Sequence, residues 1–226
     1  NYYYARNKYN IKFVSEGSVV SEGRYTYGTL MPTPVAYRAG YVFEGWEPAV
    51  TQTVPANDTT YTAVWKEADD VVYTTKYYLE NESGEYELDK TRINKGTTGQ
   101  NVTADKEQYD NRLYHLTDDL PSGTVAADGS LIFRVHYDRN TYSISFNSMG
   151  GTARWGSNVI APVPVRAGYA FAGWYVDRAC TEAFDGTMPA YDITLYAKWD
   201  ADKVNYTVEH LVEKLDGSYE LYDRQA

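Results

Sequence analysis

Arg38-Ala-Gly-Tyr-Val-Phe-Glu-Gly-Trp46 recurs as Arg166-Ala-Gly-Tyr-Ala-Phe-Ala-Gly-Trp174, with seven of nine positions identical at an offset of 128. Self-similarity of this kind marks a repeat architecture. The match continues outward on both sides. Upstream, Tyr9-Asn-Ile-Lys-Phe13 pairs with Tyr142-Ser-Ile-Ser-Phe146 at an offset of 133. Downstream, Pro55-Ala-Asn-Asp-Thr-Thr-Tyr-Thr-Ala-Val-Trp65 pairs with Pro189-Ala-Tyr-Asp-Ile-Thr-Leu-Tyr-Ala-Lys-Trp199 at 134. The changing offset locates the insertions. Copy one is longer between Phe13 and Arg38, and copy two between Trp174 and Pro189. Insertions belong in loops, so both stretches read as connections and the matched blocks as framework.

A second repeat type lies between these copies. Tyr73-Thr-Thr-Lys-Tyr-Tyr-Leu-Glu-Asn-Glu-Ser-Gly-Glu-Tyr-Glu-Leu88 matches Tyr206-Thr-Val-Glu-His-Leu-Val-Glu-Lys-Leu-Asp-Gly-Ser-Tyr-Glu-Leu221 at a constant 133. The end of this type also occurs twice, because Phe133–Tyr142 corresponds to the opening Asn1–Tyr9. The order is tail of B, A, B, A, head of B. The expectation is a fragment of a longer array, cut through type-B modules at both termini.

Each type reads as strands with turn punctuation. Tyr9, Ile11 and Phe13 alternate on one face, as do Tyr142, Ile144 and Phe146. Pro32, Pro34, Pro162 and Pro164 push the next segment toward extended structure. Strands are then expected from Tyr41 and Tyr169 to the Gly-Trp pairs, and over Thr60–Trp65 and Ile193–Trp199. Type B opens with a strand over Val71–Leu79 that places Tyr73, Thr75, Tyr77 and Leu79 on one face. Turns follow at Glu82–Glu85 and Leu215–Ser218, and Ser130–Tyr137 is its last strand. Asp105–Leu116 is the one stretch whose composition tolerates a helical turn.

Composition bounds the function. The chain carries 21 Lys and Arg against 31 Asp and Glu, a formal charge of −10, without a basic run to bind nucleic acid. No apolar stretch is long enough to span a bilayer. One Cys excludes a disulfide framework within the chain and a Cys-based zinc site. The 24 Tyr favour pleated, half-wet sheets, since the ring buries and the hydroxyl stays solvated.

Type A resembles the Listeria–Bacteroides repeat, the B-repeat of internalin-type surface proteins. The resemblance rests on the Tyr-x-Ile-x-Phe strand, the Pro-rich segment, Arg-x-Gly-Tyr-x-Phe-x-Gly-Trp, and Met188-Pro-Ala-Tyr-Asp-Ile-Thr-Leu-Tyr-Ala-Lys-Trp199. Copy one departs from it, with Val54 in place of Met188 and about half of the Trp174–Thr181 loop missing. Type B is similar to the MucBP-like repeats of Gram-positive surface proteins, in its opening strand and its Ser122-Gly-Thr-Val…Asp128-Gly-Ser-Leu131 ending. These resemblances imply an α+β, mostly β chain of tandem small β-grasp-like (ubiquitin-like) modules in an elongated array. They divide it into 1–7, the tail of a preceding MucBP-like module; 8–66, B-repeat-like; 71–139, MucBP-like; 140–199, B-repeat-like; and 203–226, the head of a second MucBP-like module. They also imply an extracellular place on a bacterial cell surface or wall, and a scarcity of Cys. Lys–Asn cross-links known among such proteins have no paired signature here.

Chemistry in the sequence is sparse. His136 aligns with Tyr3 and His210 with Tyr77, as expected of strand positions rather than of a catalytic base, and His115 has no partner suggested by sequence. Acidic pairs such as Asp69-Asp70 and Asp118-Asp119 lack ligand spacing and read as solvated surface. Cys180 is either a reactive thiol or a small loop residue; the loop reading is preferred. Trp46, Trp65, Trp174 and Trp199 recur in register and read as core, although a sugar-stacking platform is the rival. Trp155 has no Trp counterpart and is the candidate ligand-contacting residue. The expected function is a non-catalytic repeat region, a stalk or spacer with an adhesive role, without cofactor, metal or membrane insertion. The alternative is a carbohydrate- or mucin-binding module. Expected partners are neighbouring repeats of the same chain and a host glycoprotein, mucin or glycan.

Overall fold

The computed structural model describes residues 1–146 and 149–225. The chain divides into two compact units, Asn1–Gln108 with Leu116–Asp138, and Tyr109–His115 with Arg139–Ala226.

In the first unit, β1 (Lys8–Ser15), β2 (Ser18–Thr26), β3 (Tyr41–Glu47) and β4 (Thr59–Glu67) form a sheet of order β2-β1-β4-β3. The central β1 and β4 run parallel, with Ile11 opposite Thr59 and Phe13 opposite Tyr61, and the outer pairs are antiparallel. Ile11, Phe13, Met31, Trp46, Val54 and Tyr61 are buried together. The expected strands are present, but β2 lies inside the stretch read as a connection. Glu16 and Gly17, both at positive φ, reverse the chain, and β2 pairs with β1 as an exposed edge. The insertion in copy one lengthens this hairpin itself, whose pairing runs on to Ser15 opposite Ser18.

The same unit holds β5 (Val71–Glu80), β6 (Tyr86–Gly96), β7 (Asn101–Thr103), β9 (Ser122–Thr124) and β10 (Ile132–Arg139), while β8 (Tyr114–Leu116) crosses the division between units. β6 and β5 are antiparallel, and β5 and β10 parallel, with Val135 opposite Tyr77. β7 and β9 form a separate two-stranded ladder. Val71, Tyr73, Thr75 and Tyr77 are buried, but Leu79 is only half-buried and Glu80 takes the buried place. A bulge in the ladder at Tyr77/Tyr78 shifts the inward parity by one, which the alternation alone does not reveal.

No helix occurs among the described residues, so the expected mostly-β character holds and the helical part of the expected α+β class is absent. The helical turn allowed at Asp105–Leu116 is absent for a local reason. The Tyr137 hydroxyl accepts from Glu107 N at 2.9 Å and donates to Glu107 O at 2.8 Å, satisfying both backbone groups from outside. Asp110 accepts from Arg112 N and its guanidinium, which holds a tight turn instead.

In the second unit, β11 (Thr141–Phe146), β12 (Met149–Arg154), β13 (Tyr169–Tyr175) and β14 (Ile193–Ala201) repeat the first sheet, in order β12-β11-β14-β13. Its core is Ile144, Phe146, Trp174, Met188, Ile193 and Leu195. β15 (Val208–Glu213) and β16 (Tyr219–Gln225) form a hairpin whose strand residues are all exposed.

The repeated motif owes its spacing to a bulge. Phe43 and Trp46 stand three apart, so a regular strand would face them oppositely. The ladder shifts between Phe43 and Gly45, with Gly45 at φ 140°, and both rings meet at 5.2 Å on the core side. Copy two does the same at Gly173, φ 125°, bringing Phe171 and Trp174 to 5.5 Å. Each indole N–H then donates to the Pro-rich segment, Trp46 to Pro34 O at 2.8 Å and Trp174 to Pro162 O at 2.7 Å. This bond fixes the extended crossover over the core.

Candidate functional site at the joints between modules

The residues singled out from sequence do not converge on one place. His115 Nδ1 lies 2.8 Å from Asn140 Oδ1. His136 packs against the rings of Tyr78 and Tyr86. His210 is exposed on β15. Cys180 sits at φ 54° in a loop organised by Asp177, whose carboxylate accepts from Thr181 N and Glu182 N at 3.0 and 2.8 Å. Those backbone donors hold the Asp177 carboxyl below its ordinary range. Among the described residues no group of three or more His, Cys, Asp or Glu could hold a metal ion.

The recurrent Trp are scaffold by their placement. Trp46 and Trp174 are buried edge-on to Phe13 and Phe146, and Trp65 and Trp199 pack against Phe43 and Phe171. The motif Arg has an equally structural place. Arg38 lies 3.7 Å over the Tyr41 ring and Arg166 3.9 Å over Tyr169, bracing the turn that opens β3 and β13.

Trp155 is half-buried, and its place explains why it stood apart. Its counterpart at the 128 offset is Tyr27, and both sit where the chain enters a type-A sheet. Trp155 N donates to Asn140 O at 3.0 Å, as Tyr27 N does to Asn7 O at 2.9 Å. Arg139 reaches across to the Trp155 carbonyl, as Arg6 does to the Tyr27 carbonyl at 3.5 Å. The Arg139 guanidinium carbon also lies 5.5 Å from the Trp155 ring, and Tyr114 meets that ring edge-on at 5.6 Å. Arg139 is 4% exposed, held against Trp155 where most arginines are solvated. The segment 109–115 is tied down beside it. Asn140 donates to it twice, its backbone N–H to Leu113 O and its side-chain Nδ2 to Asn111 O, both at 2.8 Å.

The opposite joint, from A into B, centres on the motif glycine. Gly40 O accepts from Ala68 N at 3.0 Å and from Thr98 Oγ1 at 2.5 Å, and Thr98 N donates to Ala68 O. Gly40 has φ 71°, and a Cβ there would lie 2.5 to 2.7 Å from the backbone and side chain of Ala127. Only glycine fits both the conformation and the approach. Gly168 O likewise accepts from Asp202 N at 2.9 Å, but the space beside Gly168 is open. Sequence reading found Gly40 as a strand start. The signal for a joint was the repeated pairing of that glycine with the residue that follows the closing strand.

The family model described as the Listeria-Bacteroides repeat domain matches residues 9–75 and 142–198, together more than half of the sequence. The chain belongs to the Listeria-Bacteroides repeat family. The two matches coincide with the two sheets that share one wiring, and each runs through the Gly-Trp bulge described above. Two proteins of Evansella cellulosilytica resemble a longer stretch of the chain. One, provisionally named a Gly-rich membrane protein, is 27% identical across 89% of this chain. The other, provisionally named a membrane protein, is 29% identical across 90%. The chain spans about a quarter and a third of the length of these relatives. No helix among the described residues is long and apolar enough to cross a membrane.

Proposed function

We propose that this Listeria-Bacteroides repeat chain is a non-catalytic spacer region of a bacterial cell-surface protein, placed outside the cell. The observation that carries the reading is the joint from the first type-A sheet into the type-B strands that follow it, at Gly40, Ala68 and Thr98. A flexible tether needs no glycine pressed against Ala127, whereas a spacer needs the angle between consecutive modules held. The linkers 67–70 and 200–203 are short and acidic, and their backbone is partly absorbed into the joint through Ala68 and Asp202. The finer reading keeps the modules β-grasp-like with an extended crossover in place of a helix, and takes the middle one as MucBP-like. Membrane-named relatives that extend well beyond the matched region support a place in a larger envelope protein. The net charge of −10 favours mutual repulsion and extension.

Small-angle scattering from residues 1–226 tests the spacer. An elongated array gives a radius of gyration well above the ~17 Å expected of one compact domain of this length, and a value near that figure contradicts it. Adhesion to a host glycoprotein, mucin or glycan is the second reading. It is left with exposed residues that do not recur, such as Tyr37 and Tyr191, whose counterparts are Val165 and Asn57.

A further inference from the structure

An open cleft of about 480 Å³ lies in copy two between the edge strand β12 and the extended crossover over residues 158–162. Ile144 and Phe146 of the core reach it past Gly150 and Gly151. The volume is that of a small-ligand site. In copy one the matching place is filled from within. The ladders put Gly23 opposite Ile11 and Tyr25 opposite Tyr9, and in copy two Gly151 opposite Ile144 and Ala153 opposite Tyr142. Tyr25 therefore stands where copy two has Ala153. Its ring lies over Gly23, where a Cβ would meet Cε2 at 2.9 Å, and it packs against the core. At Gly151 nothing among the described residues lies within 4 Å of the same point. The cores record the difference. Ile11 and Phe13 are 0% and 1% exposed, whereas Ile144 and Phe146 are 5% and 7% exposed.

Neither end of the sequence shapes the cleft. Among the described residues, every one that lines it falls between 144 and 162. In the first unit Leu30, the counterpart of Asn158, is 78% exposed although the type-B strands follow its sheet. A following module therefore leaves this flank bare.

We infer that the copy-two cleft is a binding site for a neutral phenol ring, the group with which copy one fills the same place. The lining carries no charged side chain among the described residues, so a neutral ring enters without leaving a charge unpaired. Phe146 supplies an aromatic neighbour, and Thr152 and Asn158 are polar residues that a hydroxyl can meet. The inference is independent of the spacer reading, which rests on a joint and not on this flank.

Amide chemical shifts of the 226-residue chain during titration with p-cresol test it. The expected result is saturable shifts at Gly151, Ala153, Val159 and Ile160, with a Kd of about 1 mM for a ligand of this size. Ala153→Tyr supplies the ring from within and weakens binding at least about tenfold. Tyr25→Ala opens the same place in copy one, and Gly23 and Met31 then shift as well. Methylcyclohexanol keeps the outline but not the ring face, and binds at least about threefold more weakly. N-acetyltyrosine amide identifies the source of the ring. Shifts at the same amides assign a tyrosine side chain of a protein partner, and shifts with p-cresol alone assign a free phenol. No shift at these amides up to about 10 mM p-cresol overturns the inference. So does undiminished binding to Ala153→Tyr, or equal binding of methylcyclohexanol.

Discussion

The two type-A copies share a wiring and differ in what surrounds them. In copy one the motif glycine, Gly40, is pressed against Ala127, while in copy two Gly168 faces open space. At the other end the order reverses, with Arg6 exposed and Arg139 buried over Trp155. The same position of the repeat keeps its backbone bonds in both copies and differs, within these 226 residues, in how deeply it is covered. Inside the sheets the copies differ by compensation. Met31 and Val54 in the first core occupy the places of Val159 and Met188 in the second, so the large and small partners are exchanged. Recurrence thus marks two kinds of position, those that close a module and those that lock it to the next.

Substituting the glycines separates the two kinds most strongly. Gly168→Ala meets only the positive φ and costs about 1 kcal/mol. Gly40→Ala meets the same φ and a backbone 2.5 Å away, and costs about 3 kcal/mol. Urea unfolding followed by site-resolved amide exchange reads both, and equal costs break the comparison. The arginines give the converse result. Arg139→Ala removes a buried charged donor from the Trp155 carbonyl and costs about 2 kcal/mol, whereas Arg6→Ala changes stability by less than about 0.5 kcal/mol.

The core exchange makes a smaller, sharper test. Met31→Val alone leaves a void and Val54→Met alone overfills, each costing about 1 kcal/mol. Together they rebuild the packing of copy two, and the double variant is more stable than the sum of the singles by about 1 kcal/mol. Additive losses show that the two cores do not pack alike.

Alkaline titration separates type B from type A, whereas lowered carboxyls occur in both, Glu107, Asp110 and Asp128 among those of type B. Asp58 accepts from Asn10 N and Nδ2, and Asp177 from Thr181 and Glu182 N, so both carboxyls are held below their ordinary range. Their contribution is present above the unfolded value near 4 and is lost as pH falls through the folded one. In type B, burial raises Tyr77 and Tyr137, and the Asp138 hydrogen bond with burial raises Tyr86. Their contribution is complete below about pH 10 and is lost above it. Fluorescence and amide exchange across pH are expected to show β5 and β10 opening before the type-A sheets in alkali, with the acid loss shared by both module types.

Much of the framework was legible because a strand that buries one face writes its period into the sequence. Tyr9, Ile11 and Phe13, and their copy-two partners, are such a case. The bulge at Gly45 was legible only in hindsight, from a Phe and a Trp three apart with a glycine between them. β2 was missed because an exposed edge strand needs no alternation, and it was hidden in a stretch whose length varies. The absence of helix at Asp105–Leu116 depends on Tyr137, some thirty residues away, which no local propensity can report. The joints were least legible, since Trp155 and Tyr27 differ in residue type and are matched only by the bonds they make.

The distance between the first two modules tests the account most directly. Spin labels at Glu22→Cys on β2 and Glu87→Cys on β6, with Cys180→Ser, report it by pulsed electron resonance in frozen solution. A fixed joint predicts one narrow distance distribution, which broadens when Gly40→Val is added. A broad distribution in the parent, unchanged by Gly40→Val, would contradict the claim that these repeats are locked to one another.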